Sequence, residues 1–303
     1  MAPEAGVRGR EGGTSPVETA TETRFGEMLS RAQETGRAVG AFTCYDLLGF
    51  EAVVRAAESR RAPVIILVSP LSFWAEGGER LVRAFRAAAK GSSVEVLVQL
   101  DHARDERLIE RAADCGVEAV MADGSKLPFA ENLAFARSVV GSMRPRGVGV
   151  EAELGRVEGH EDEAGETLSG ATTEPGEAEE FVKQSGVDCL AVAVGNVHGH
   201  YSGTPELDWG RLEEVRGRIS APLSLHGASG LPEADLERAV SLGVAKFNVN
   251  TDLRTAYFRC LGEDLGVKAA AVNLKSLGDG VVEAVQEVVE AKLSAFGWTR
   301  EEA

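Results

Sequence analysis

The amino-acid sequence predicts an α/β fold, a single (β/α)8 barrel, and three observations carry that prediction. The first is size: 303 residues, 44% of them hydrophobic, can bury one large core, and a barrel of this kind typically takes about 250 residues. The second is rhythm. From about residue 38 the chain repeats a short β-branched apolar run, a few loop residues and an amphipathic helical pattern, as successive βα units do. The third is the count, because eight such runs can be read, and eight strands close a barrel.

The candidate strands are 39–43 (VGAFT), 63–69 (PVIILVS), 94–101 (VEVLVQLD), 117–123 (VEAVMAD), 148–154 (VGVEAEL), 189–195 (CLAVAVG), 221–227 (APLSLHG) and 244–250 (VAKFNVN). Near-continuous apolarity suits parallel strands covered on both faces. Between them lie helical patterns such as LIERAADCG and LERAVSLG, each ending in the glycine that helix C-termini favour. A doubly wound sheet is the alternative, weakened because no GxGxxG follows the first strand. Residues 155–177 (GRVEGHEDEAGETLSGATTEPGE) are too long for an ordinary βα loop and read as a lid or disordered segment. The C-terminal VVEAVQEVVEAKLSAFG is an amphipathic helix, either packed on its own barrel or available as a contact surface. Residues 1–22 are read as a disordered polar tail and 23–303 as the catalytic barrel domain.

The formal charge of −16 argues against nucleic acid or an anionic membrane as partner. No stretch reaches the roughly 18 apolar residues of a membrane span, and no signal-like h-region opens the chain. Cys44, Cys115, Cys189 and Cys260 form no CxxC, so neither a disulfide framework nor a thiolate zinc site is indicated; a reducing, cytoplasmic setting is expected.

Active sites of such barrels lie at the C-terminal ends of the strands. His102 follows the third candidate strand, His198 the sixth, and His226 ends the seventh, while His160 falls in the long loop. Three imidazoles on one rim match a catalytic zinc site with one position left open; three separately hydrogen-bonded histidines are the alternative. Carboxylates gather there too: Asp101, Asp123, Glu151, Glu153, Glu161 and Asp162. Alternation along a strand turns Glu151 and Glu153 the same way, and acids inside an apolar strand should be paired or metal-bound if buried. After the last two strands, HGASG and NVNTDLR place small and polar residues at loop-to-helix transitions, where backbone N–H groups bind phosphate.

These motifs, with VMADGSKLPFAENL, VEAELGRVEGHED and HGHYSG, occur in an order and spacing that resemble the class II, metal-dependent ketose-bisphosphate aldolases, from about Phe25 to Gly297. The resemblance implies that His102, His198 and His226 bind a catalytic zinc ion. Asp123 and Glu153 match residues of a second cation position, divalent or monovalent, whereas Glu151 matches a position without that role. Asp101 matches the acid/base residue at the aldehyde oxygen and Glu161 the loop carboxylate that removes a proton from carbon. Gly199, Gly227, Ala228, Ser229, Asn248, Val249, Asn250 and Thr251 match the dihydroxyacetone phosphate site, and Ser69 a contact to the aldehyde side. His200 falls at a position that varies among relatives, and no metal is expected on it.

The implied reaction is reversible cleavage of a fructose 1,6-bisphosphate-like ketose by a carbon–carbon lyase, the aldolase step of glycolysis and related carbohydrate metabolism, in a homodimer or homotetramer. Breaking a carbon–carbon bond beside a carbonyl leaves an ene-diolate whose charge needs an electrophile. No lysine stands at the usual strand-end position for a Schiff base, so a Lewis-acidic metal suits the residue set. Two segments depart from the family. FTCYD, Phe42 to Asp46, replaces an Asn-rich segment that lines the substrate pocket, and the basic C-terminal segment that helps hold a second phosphate is absent, with Lys275 a weak substitute. A tagatose-type, deoxy-ketose or monophosphate substrate is therefore a further reading. Two others are a zinc hydroxide hydrolase, which needs no phosphate site after the last two strands, and a non-catalytic aldolase-like partner subunit, which should lack a ligand.

Overall fold

The computed structural model describes residues 22–159, 170–199, 201, 203–270 and 273–299, with backbone alone for 264–270. His160, Glu161 and Asp162 of the long loop, His200, and the expected N-terminal tail up to residue 21 lie outside the described residues. Eight parallel strands close into a barrel in sequence order: β1 Val39–Thr43, β2 Val64–Val68, β3 Val96–Ala103, β4 Ala119–Ala122, β5 Gly149–Leu154, β6 Cys189–Val192, β7 Leu223–Leu225 and β8 Val244–Val249, with β8 paired back to β1. The helices are α1 Arg24–Glu34, α2 Leu47–Arg60, α3 Pro70–Trp74, α4 Gly78–Ala89, α5 Glu106–Asp114, α6 Phe129–Met143, α7 Pro175–Ser185, α8 Trp209–Arg218, α9 Glu233–Ser241, α10 Thr251–Ala270 and α11 Leu274–Ala295.

The sequence pattern accounts for the helix ends. Asp46 and Asp105 cap α2 and α5 through their carboxylates, and Gly116 and Gly243, just past α5 and α9, take left-handed φ angles of 92°. One element has no counterpart in the sequence reading. α1 buries Phe25, Met28, Leu29 and Ala32 against the inward side chains Val39, Ile65, Leu97 and Ala245, and so closes the N-terminal mouth. Gly149 makes room for it, since a Cβ there would stand 2.6 Å from Phe25 Cβ. At the other end of the chain, α11 packs on α2 and α10 and buries Val281, Val282, Val285, Val289 and Leu293. Packing onto its own barrel is thus the arrangement of that helix.

Strand limits differ from the sequence reading at three places that matter. β6 stops at Val192 rather than residue 195, because Asn196 turns the chain and its side chain binds Val194 N and Val192 O. β7 is short, and His226 stands just beyond it. His102 does not follow β3 but lies within it. The register between β3 and β4 shifts between Leu100 and Ala103, and His102 has a φ of 42°. This bulge suspends the alternation of side chains, so the consecutive residues Asp101 and His102 both reach the barrel interior. A non-glycine residue in this region is strained, by about 1–3 kcal/mol, at the position where the two candidate site residues stand side by side. Among the described residues no helix is long and apolar enough to cross a membrane, and the four cysteines are free and buried.

Candidate active site and metal centre

The three strand-end histidines meet over the C-terminal mouth. Ring centroids are 5.1 Å apart for His102 and His198, 4.9 Å for His102 and His226, and 5.9 Å for His198 and His226, and one nitrogen of each lies within 4.8 Å of the others. Local backbone brings them there. His198 N donates to Glu158 O at 2.8 Å, and Asn196 Nδ2 donates to His226 O at 3.0 Å, which ties the turn after β6 to the end of β7. Gly227, with φ 65°, lies so close to this turn that a Cβ would stand 2.2 Å from Val197 O; glycine is required there by both conformation and space.

The donor set fits a zinc ion. His226 Nε2 is held by Glu151 Oε1 at 2.9 Å and His102 Nδ1 by Asp123 Oδ2 at 3.3 Å. The remaining nitrogens, His226 Nδ1 and His102 Nε2, face each other at 3.1 Å. Two nitrogens on one zinc, with bonds of about 2.0–2.1 Å at tetrahedral angles, stand roughly 3.3 Å apart. Burial lowers the pKa of His226, favouring the neutral imidazole that metals bind. At His102 burial acts the same way, but the charges of Asp101 and Asp123 overcome it and raise the imidazolium well above its ordinary range. The site therefore attracts positive charge.

Glu151, which the resemblance left without a metal role, is the residue whose part the sequence reading underestimated. It is wholly buried and meets three groups: His226, Gln99 Nε2 at 2.7 Å and Lys246 Nζ at 2.9 Å. Burial would raise its pKa, but Lys246 first and then His226 hold it well below the usual carboxylate range. A carboxylate that stays charged can only accept a hydrogen bond, so it fixes His226 with its proton on Nε2 and Nδ1 turned to the site. Lys246 also donates to Asn248 Oδ1, which turns the Asn248 amide nitrogen toward Asp101, 3.2 Å from Oδ2. One buried ammonium thus orients both a candidate metal ligand and the candidate acid/base.

The second candidate cation position is the group His102, Asp123 and Glu153. Burial and the nearby Asp123 charge push Glu153 up, whereas the hydrogen bond from His102 and the charges of His102 and Arg104 hold Asp123 down against burial. Arg104 Nε donates to Asp123 at 3.0 Å, so a cation on this position would share Asp123 with a guanidinium.

The residues matched to the phosphate site are brought together after β7 and β8. Ser229 Oγ accepts from Asn250 N at 3.3 Å and Asp252 N at 3.2 Å, and Ala228 N donates to Asn248 O at 3.2 Å. Gly199 has φ 92° with open space where a Cβ would be. The side chains of Ala228 and Val249 belong to the hydrophobic core, so these two residues offer only backbone to a ligand. Ser69 caps α3, with its Oγ 3.1 Å from Ser72 Oγ. Tyr201 was not singled out by sequence; its hydroxyl donates to Gly227 O at 3.0 Å and accepts from Val197 N at 3.2 Å, pinning the two loops.

A closed (β/α)8 barrel with a cluster of histidines and carboxylates at its C-terminal mouth is the arrangement of a barrel protein with a candidate metal centre on its catalytic face. The chain matches the family model for fructose-bisphosphate aldolase class-II over residues 23–300; it belongs to that family, whose activity is that of a lyase. Among solved structures it is similar to a Coccidioides immitis protein named as a fructose-1,6-bisphosphate aldolase, with 36% identity and a TM-score of 0.84 over 90% of this chain and 96% of that one. It is also similar to the YdjI aldolase of Escherichia coli K12, with 32% identity and a TM-score of 0.81 over 91% and 97%. A fructose-bisphosphate aldolase of Campylobacter jejuni, 21% identical with a TM-score of 0.78 over 92% and 95%, shares the fold.

Proposed function

We propose that the protein is a zinc-dependent aldolase that reversibly cleaves a ketose phosphate to dihydroxyacetone phosphate and an aldehyde. The observation that carries this reading is the convergence of three imidazoles, one from the end of β3 and two from the segments after β6 and β7, with their nitrogens within 4.8 Å, beside the buried Asp101. When bound by His102, His198 and His226, zinc supplies a Lewis acid that polarises the substrate ketone and carries negative charge; Asp123 and Glu153 would hold a second cation.

Asp101 accepts the proton of the C4 hydroxyl as the C3–C4 bond breaks. The C4 oxygen becomes the aldehyde carbonyl, and the electron pair stays with the three-carbon fragment. A proton delivered to C3 completes dihydroxyacetone phosphate, a role for which the family resemblance nominates Glu161. Separate carboxylates let the two proton transfers proceed independently. Asn248, held by Lys246, donates to Asp101 and keeps its carboxylate in place. The backbone around Gly199, Gly227 to Ser229 and Asn248 to Thr251 is assigned to the phosphate, at the start of α10 where N–H groups and the helix dipole favour an anion. Ser69 is assigned to the aldehyde side. A cytoplasmic homodimer or homotetramer accompanies this reading.

The test is a coupled assay for dihydroxyacetone phosphate released from ketose phosphates. Chelator should abolish release, zinc or cobalt should restore it, and borohydride with substrate should not inactivate. A borohydride-trapped Schiff base would refute the reading.

A further inference from the structure

The catalytic face holds a cavity of about 530 Å3, between the turn after β1, α3 and α10. Two contacts join it to the site. Tyr45, one of its walls, donates its hydroxyl to Asn250 Oδ1 at 3.1 Å, and Ser72, another, is bonded to Ser69. On the reading above, which this inference rests on, the aldehyde half of the ketose lies here.

The chemistry of the walls sets what that half can be. Leu71, Leu253, Phe258 and Val285 present hydrocarbon, and among the described residues the charged lining consists of Asp46 and Arg254, which sum to zero. Asp46 is engaged within the fold, accepting from Gly49 N at 2.8 Å and from the Tyr257 hydroxyl at 2.6 Å. The Arg254 guanidinium lies 5.9 Å from the centre of the Tyr45 ring. A phosphate dianion taken from water needs a surplus of cations or convergent N–H donors to replace its hydration, and among the described residues this lining sets one carboxylate, Asp46, against one cation, Arg254. The volume lies within the roughly 300–1,000 Å3 of sites for drug-sized ligands, more than a three-carbon aldehyde fills.

We infer that the aldehyde taken by this enzyme is uncharged and longer than a triose, so that its ketose carries phosphate only on the dihydroxyacetone end. This departs from a bisphosphate substrate.

The test compares kcat/KM in the condensation direction for glyceraldehyde 3-phosphate and for unphosphorylated aldehydes of three to six carbons, each with dihydroxyacetone phosphate and zinc-loaded enzyme. In parallel, exchange of the C3 proton of dihydroxyacetone phosphate with deuterated solvent is followed without aldehyde. The inference predicts at least a tenfold preference for an unphosphorylated aldehyde of more than three carbons. Proton exchange with a preference for glyceraldehyde 3-phosphate, or for the neutral triose, overturns the inference and leaves the aldolase reading standing. No exchange and no condensation overturns both. Phe258→Arg, which adds a cation to the lining, should raise the ratio of phosphorylated to neutral aldehyde turnover several-fold; an unchanged ratio counts against this cavity as the aldehyde site.

Discussion

Lys246 Nζ stands 2.9 Å from Glu151 Oε2 in the centre of the barrel, with both side chains fully buried. Burying two charges costs several kcal/mol per ion before pairing offsets it, so the pair is a poor device for stability alone. Its partners give the reason for it, because Glu151 holds His226 and Lys246 holds Asn248. Removing one member should therefore impair the metal site. In Glu151→Gln and Lys246→Met, zinc affinity measured by competition with a chromophoric chelator should fall by about 10–100-fold, as for other outer carboxylates of metal-bound histidines. Wild-type affinity in both folded variants would contradict the positioning role.

The same pair predicts an acid dependence in the metal-free protein. Glu151 is held below its ordinary pKa, so in the unfolded chain it takes up a proton near pH 4.3 while in the folded chain it stays charged. Its contribution to stability is present above roughly pH 4.3 and is lost as the pH falls toward the folded value. In Lys246→Met the buried carboxyl loses its counter-ion, its pKa rises, and its contribution takes the opposite sign. Denaturant unfolding at pH 7, 5 and 4 should show the wild type's advantage shrinking as the pH falls, and a gap that widens on acidification would refute this account.

Asp101 and Glu161 are assigned different proton transfers. Asp101→Asn should keep zinc and lose about 10²–10⁴-fold in cleavage. Glu161→Ala should also keep zinc but lose solvent proton exchange into dihydroxyacetone phosphate. Metal analysis with both rate measurements separates the two roles; loss of metal in either variant would refute them.

Gly227→Ala tests the close approach behind His226. The φ of 65° and the 2.2 Å that a Cβ would have to Val197 O predict a destabilisation of at least about 1–3 kcal/mol in chemical denaturation, with weaker zinc binding because His226 is adjacent. A neutral substitution would show that the turn after β6 moves freely.

The barrel could be read from the sequence because its strands are buried on both faces and announce themselves as apolar runs, as VIILV of β2 does. The three histidines were legible for a related reason: each stands at or shortly after the end of such a run, where barrels keep their chemistry. The bulge at His102 was not, since left-handed backbone at a histidine leaves no compositional mark. α1 was missed because its apolar face, Phe25, Met28, Leu29 and Ala32, closes a mouth that exists only once the barrel has formed. Glu151 and Lys246 are 95 residues apart in the sequence; only closure of the barrel makes them partners. The expectation that Glu151 and Glu153 face the same way held, and the outward Ala152 belongs to the hydrophobic core.

In the proposed function, His102, His198 and His226 hold the metal on which cleavage depends. The most direct test is titration of zinc into the metal-free protein while release of dihydroxyacetone phosphate is followed, for the wild type and for His198→Ala. Wild-type activity should rise from zero in proportion to zinc bound at the catalytic site, and His198→Ala should remain folded, bind zinc weakly and stay inactive over the same range. Cleavage by the metal-free wild type, or undiminished zinc-dependent cleavage by His198→Ala, would contradict the claim.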